Sequence, residues 1–269
     1  MKPLGKIEAK KSLGQNFLTN PRIPELMADA AELTLEDTVL EIGPGTGALT
    51  QEFLKRGVRV VAVEADQRAI ELLEDTFADE IAAGTLVLHH GDIREIDLEA
   101  IGLTRGAYKL VANIPYYLSG MLFRLFLESE TAPSTLVFLT QKEVAERICR
   151  DPKESLLSLG VKAYGSPRYV KTVSRGNFSP APKVDSAIIA VSGISKDHFN
   201  NLDEAFFFEV LHLGFAAKRK QLLGNLSKKF ARDMVADILH SLNLKETVRG
   251  EDVPLETWLK IASALYPHR

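Results

Sequence analysis

Two periodicities organise the apolar residues of this chain. In the first half, "TVLEIG" (38–43), "RVVAVEAD" (59–66), "GTLVLHHGD" (84–92), "YKLVANIP" (108–115) and "STLVFLTQ" (134–141) are short runs rich in β-branched and apolar residues, and read as strands. Helical spacing fills most of the intervals, as in "ALTQEFLKRG" and "RAIELLEDTFADEI", and also spans Pro21 to Leu33. Alternating strand and helix predicts a doubly wound α/β domain. Near-continuous apolar strands predict a parallel sheet covered on both faces.

After Cys149 the texture changes. "SLLSLGVKAYG", "RYVKTVSRG" and "DSAIIAVSG" read as further strands, separated by the proline-rich "NFSPAPKVDS" (177–186). From about Asp197 the pattern is helical, in "FFFEVLHLGFAAKRKQLLGNLSKKF", "ARDMVADILHSLNL" and "PLETWLKIASALY". The expected division is therefore a first domain over 1–194 and a small helical domain over 195–269. Apolar spacing through Phe207, Leu211, Phe215, Leu222 and Leu226 would carry Lys218 on the same face; a break near Ala216 and Ala217 is expected instead, displaying the basic triplet.

Composition narrows the class. A chain of 269 residues has room for such a pair of domains and for a core without disulfides. One cysteine, Cys149, excludes an internal disulfide framework, and the six histidines have no metal-ligand spacing, so no metal is expected. "MKPLGKIEAKKSLGQN" has no apolar signal core and no run is long enough to span a bilayer, which predicts a soluble, cytoplasmic protein with no membrane partner. The net charge of −3 conceals asymmetry: residues 25–105 hold 18 acids against 6 bases, while Gly214 to Arg232 holds 6 bases and no acid. That pattern suits a polyanion bound along one side, or equally a set of solvated basic helix faces.

Chemistry concentrates at the strand ends. "VLEIGPGTGALT" places Gly43, Gly45 and Gly47 between a strand and a helix, where glycines let backbone N–H groups approach a ligand. Glu64 ends the next strand, where a carboxylate would accept ribose hydroxyls, and Asp92 ends the third, within reach of an adenine amino group. Each acid alone reads as a helix N-cap; three strand ends together favour an adenosine-containing ligand. The phosphate loop G-x-x-x-x-G-K-[ST] is absent, and Glu41 beside the turn repels pyrophosphate but suits a methionine ammonium group. S-adenosylmethionine is therefore favoured over NAD or ATP.

"KKSLGQNFL", "VLEIGPGTGALT", "VEAD", "GDI", "NIPY" and "NFSPAPKVDSA" occur in the order seen in the ribosomal RNA adenine N6,N6-dimethyltransferases, and the chain resembles that family over essentially its whole length, most specifically at NIPY and Phe-x-Pro-x-Pro. The resemblance implies a Rossmann-like S-adenosylmethionine-dependent methyltransferase domain with the helical domain helping to hold RNA. It implies cofactor contacts at Asn16, Leu18, Gly43, Glu64, Asp92 and Asn113, to which the loop adds Gly45. "SLGQNFL" and "FAAKRKQLLGNL" look like the housekeeping branch, which acts on two adjacent adenines near the 3′ end of 16S rRNA in the small ribosomal subunit or its precursor. A monomer is expected.

"NIPY" then acquires a chemical reading. The adenine amine is a poor nucleophile because its lone pair is delocalised; Asn113 Oδ1 and the Ile114 carbonyl would accept its hydrogens and aim the nitrogen. Asparagine takes up no proton at ordinary pH, so the expected role is positioning. Pro115 sets the backbone, Tyr116 offers a stacking face, and Phe178 would close the other. Tyr117 has no assigned role, and its ring is expected in the core. Lys10, Lys11, Lys218, Arg219 and Lys220 are the expected phosphate contacts. Three alternatives stay open: a large-subunit rRNA methyltransferase conferring antibiotic resistance, a non-catalytic ribosome-assembly factor, and a small-molecule methyltransferase.

Overall fold

The computed structural model describes residues 4–5, 7–10, 13–217 and 219–269. Along the chain run β1 (Phe17–Leu18), α1 (Arg22–Ala30), β2 (Thr38–Ile42), α2 (Ala48–Lys55), β3 (Arg59–Glu64), α3 (Gln67–Thr76), α4 (Ala78–Ala82), β4 (Leu86–His90), β5 (Lys109–Asn113), α5 (Ser119–Leu127), β6 (Thr135–Gln141), α6 (Lys142–Cys149), α7 (Leu156–Tyr164), β7 (Ser166–Val173), β8 (Phe178–Ser179) and β9 (Ser186–Ser192). Four further helices follow: α8 (Glu204–Gly214), α9 (Leu222–Leu226), α10 (Arg232–Ser241) and α11 (Leu255–Leu265). The chain divides into two compact units, Met1–Ala145 with Ser166–Ile194, and Glu146–Gly165 with Ser195–Arg269.

The first unit is built on a seven-stranded sheet of order β4-β3-β2-β5-β6-β9-β7. The five strands read from the apolar runs are mutually parallel, whereas β9 runs antiparallel to both β6 and β7, so the sheet is mixed rather than wholly parallel. Strand order reverses between β2 and β5: β3 and β4 extend to one side of β2, and β5 begins the other. That reversal opens a crevice beyond the carboxyl ends of the strands. The helices bury their apolar faces on the sheet, and Met27, Val39, Phe53, Val60, Leu73, Phe77 and Val111 are all fully buried in one core.

"SLLSLGVKAYG" is not a strand. It forms α7, because Ser155 and Ser158 cap the helix start reciprocally: the Ser155 hydroxyl accepts from Ser158 N at 3.1 Å and Ser155 N donates to Ser158 Oγ at 2.7 Å. A short apolar run reads equally as strand or helix by periodicity, and the cap decides it. With this helix, residues 146–165, expected in the first domain, join the second unit. There Tyr164 packs against Phe199 and Phe208, and its hydroxyl donates to Glu204 at 2.5 Å.

In the second unit α8 ends at Gly214, and the break before α9 holds the residues expected to interrupt the helix. The cause is local. A side-chain carbon on Gly214 would lie 2.2 Å from the fully buried Trp258 ring, and Asn225 Nδ2 donates to the carbonyls of Gly214 at 2.6 Å and Ala217 at 3.3 Å. Among the described residues no helix is long and apolar enough to cross a membrane, and no three His, Cys, Asp or Glu side chains gather as a metal site.

Candidate active site

A cavity in the first unit lies where the strand order reverses, walled by the turns after β2, β3, β4 and β5 and by the arm preceding β1. Gly43, Gly45 and Gly47 all have positive φ, of 64°, 57° and 84°, which a residue with a side chain rarely adopts. Gly43 and Gly45 line the cavity, and nothing lies within 4 Å of where a Gly43 side-chain carbon would be. Gly47 serves packing instead: a carbon there would meet Phe77 at 2.6 Å.

Glu64 joins two turns. Its Oε2 accepts from Gly45 N at 3.0 Å and its Oε1 from Asp66 N at 2.9 Å. Only 6% exposed, the carboxyl is pushed up from its ordinary pKa by burial, against the opposing pull of those backbone donors. Asp92 lines the same cavity with its carboxylate held by Arg94, whose Nε donates to Oδ1 at 2.9 Å; the guanidinium lowers its pKa.

Glu41 corrects the sequence reading. It is fully buried and does not line the cavity; Thr50 Oγ1 donates to its Oε2 at 2.7 Å, and Oε1 has no hydrogen-bond partner. Burial raises its pKa to about 8, with Glu64 adding to the rise, so near neutrality it carries a proton and presents no charge to a ligand. Alternation along β2 puts Glu41 on the same face as Val39, which is fully buried in the core.

Across the cavity, Asn113 Nδ2 donates to the Asn16 carbonyl at 3.0 Å, and Asn16 Nδ2 donates to the Gly14 carbonyl at 3.0 Å. A carbonyl only accepts, so the Asn113 amide is oriented with its nitrogen toward the arm and its oxygen available to the cavity. Ile114 N donates to the Leu139 carbonyl at 3.3 Å, and Pro115, at φ −57° and ψ 130°, leads into a 3₁₀ turn over Tyr116–Leu118. Tyr116 lines the cavity, and its hydroxyl shares a 2.6 Å hydrogen bond with Ser186 on β9.

Two expected contacts are placed differently. Leu18 packs against the core rather than the cavity, and Phe17 beside it supplies the wall, because neighbours on a strand face opposite ways. Phe178 pairs with Leu18 across β1 and β8 and is 5% exposed within the core, so it presents no stacking face to the cavity. Tyr117, expected in the core, is instead 66% exposed. Sequence reasoning assigned no role to Gln15, Phe17 or Arg94, all of which line the cavity. "SLGQNFL" contains the first two, but Gln15 lies in the arm before β1 and Phe17 in a strand of only two residues, too short for a periodicity.

Of the basic residues, Lys10 lies 3.5 Å from Asp66, which also accepts from Gln15 Nε2 at 2.9 Å and from Arg68. It therefore closes the arm onto the first unit rather than standing free. Arg219 and Lys220 are exposed in the break between α8 and α9. Lys11 and Lys218 lie outside the described residues.

The model of the ribosomal RNA adenine dimethylases matches residues 6–266. The chain belongs to that family. It is accordingly an enzyme, an rRNA adenine dimethyltransferase. Its similarity to proteins named ribosomal RNA small subunit methyltransferase A is 36% identity with that of Dehalococcoides mccartyi, over 95% of this chain and 88% of the relative, and 35% with that of Listeria monocytogenes, over 95% and 90%. Among solved structures it resembles a dimethyladenosine transferase from Plasmodium falciparum (TM-score 0.77, 26% identity, 93% of this chain and 97% of that one). It also resembles the 23S rRNA methyltransferase ErmE (TM-score 0.74, 25% identity, 93% and 100%).

Proposed function

We propose that this dimethyltransferase moves methyl groups from S-adenosylmethionine to N6 of two adjacent adenines near the 3′ end of 16S rRNA in the small ribosomal subunit or its precursor, acting as a monomer. The observation that carries the reading is the Asn113 amide in the cavity lining, its nitrogen committed to the Asn16 carbonyl, which leaves the oxygen as its acceptor end. The small-subunit assignment draws support from the names of the relatives.

The lining fits an adenosine-containing cofactor. It offers the carboxylates of Glu64 and Asp92 as acceptors for hydroxyl and amino groups, with apolar walls at Ile42, Phe17 and Ile93. Its one basic residue among those described, Arg94, is engaged by Asp92, which disfavours a polyphosphate. When bound, the cofactor supplies an activated methyl group.

The chain's own residues then act by position. Asn113 Oδ1 and the Ile114 carbonyl accept the adenine amine hydrogens and localise the nitrogen lone pair; Pro115 and the Ser186-anchored Tyr116 hold that geometry and offer a stacking face. Neither acceptor is a base, so the proton departs to water after transfer. Arg219 and Lys220 in the second unit contact RNA phosphates.

Incubation with labelled S-adenosylmethionine and under-methylated small subunits, followed by mapping of the modified nucleotide, tests the reading. Dimethyladenosine in small-subunit RNA is expected; label in large-subunit RNA, in a free nucleoside or nowhere would overturn it.

A further inference from the structure

We infer that Tyr117 is a stacking platform for the unpaired nucleotide next to the adenine being methylated, an inference that rests on the RNA reading above. Tyr117 lines the same cavity as Asn113 and Tyr116 yet is 66% exposed, which puts its ring on the solvent-open rim. Among the large apolar side chains left exposed by the described residues it is the one aromatic.

The ring is braced on one side. Gly14, at φ +64°, leaves room for it: a side-chain carbon on Gly14 would lie 3.2 Å from Tyr117 Cε1 and 3.4 Å from Pro115 Cβ. The bracing residues are themselves held, Gly14 through its carbonyl by Asn16 and Pro115 by the 3₁₀ turn. An aromatic face fixed beforehand and open to solvent loses little entropy when a base settles on it. Arg94, 56% exposed on the same cavity, is fixed by Asp92 and places a positive charge where the strand's phosphates would pass.

A base drawn out of a strand into a pocket leaves its neighbour unstacked, and an aromatic at the pocket rim replaces that lost stacking without reading the base's identity. Tyr116 would then hold the target and Tyr117 its neighbour, which gives adjacent aromatic residues distinct tasks.

The test compares wild type with Tyr117→Ala, Tyr117→Leu and Tyr117→Phe on under-methylated small subunits, with S-adenosylmethionine affinity measured separately by calorimetry. The Ala and Leu variants should raise KM for the particle roughly 5- to 100-fold. Their kcat and cofactor affinity should stay within about twofold, and Phe should restore KM. Particles assembled with an abasic residue beside the target should erase the difference between wild type and Tyr117→Ala. An unchanged KM in Tyr117→Ala overturns the platform while leaving the methyltransferase reading intact. A matching loss of cofactor affinity also overturns it, reducing Tyr117 to a brace for the arm. Failure of wild type to methylate the particle removes both.

Discussion

The side-chain nitrogen of Asn113 donates to the main-chain carbonyl of Asn16, 97 residues earlier, at 3.0 Å. This bond ties the end of a central strand to the arm that walls the cavity, and it decides which end of the amide a substrate meets. Asn113→Ala should fold and lose much less in cofactor affinity than in the rate of methyl transfer, which should fall by roughly 10²–10³, the size seen when one preorganised polar contact is removed. Asn113→Asp should fare no better, because a carboxylate has no hydrogen to give the Asn16 carbonyl. Single-turnover kinetics at saturating cofactor measures both, and a rate within threefold of wild type would refute the role.

Glu41 makes stability depend on pH. Its folded pKa, about 8, lies above the ordinary carboxyl value of 4.5, so the folded state holds a proton that the unfolded chain has released between those limits. Its contribution is therefore complete below about pH 4.5 and is lost as pH rises through 8, with a slope of up to about 1.4 kcal/mol per pH unit. Glu41→Gln, which keeps an oxygen for Thr50, should flatten this slope. Denaturant titrations at pH 5.5, 7 and 8.5 on both proteins provide the check.

Gly43 and Gly47 of the loop should respond differently to alanine. Gly47→Ala should destabilise the fold by about 2–4 kcal/mol, because its new carbon meets Phe77 at 2.6 Å in a backbone conformation already unfavourable for alanine. Gly43→Ala meets nothing within 4 Å and should cost only about 1–2 kcal/mol of backbone strain. Since Gly43 lines the cavity, its main loss should be cofactor affinity. Melting temperature and calorimetric affinity separate the two phenotypes.

Replacing Arg219 or Lys220 by alanine should weaken RNA binding evenly across sequences and reduce the slope of log K against log salt by roughly one per residue. Cofactor affinity should not change. Filter binding of small-subunit RNA across a salt series reads both quantities.

Much of this was legible in the sequence, and the parts that were not share a cause. The five parallel strands, the glycine turn, the acids at 64 and 92 and the Asn-Ile-Pro-Tyr stretch all lie on local patterns: apolar period, turn chemistry and strand-end position. Residues 156–164 misled because a run of leucines fits either period, and a two-serine cap settled it as helix.

The chain by itself determined the α/β alternation, the edge of the sheet that carries the chemistry and the residue types gathered there. Only the folded chain decided which way each side chain faces. Glu41 turns inward and carries a proton, Leu18 packs against the core and Phe178 enters it, and Tyr117 remains outside on the rim. Those choices come from contacts between segments far apart in sequence: Asn16 with Asn113, Gln15 with Asp66, Gly14 with Tyr117. Local periodicity carries no record of such pairings, because they exist only once β1 has paired with β8 and the arm has closed over the strand ends.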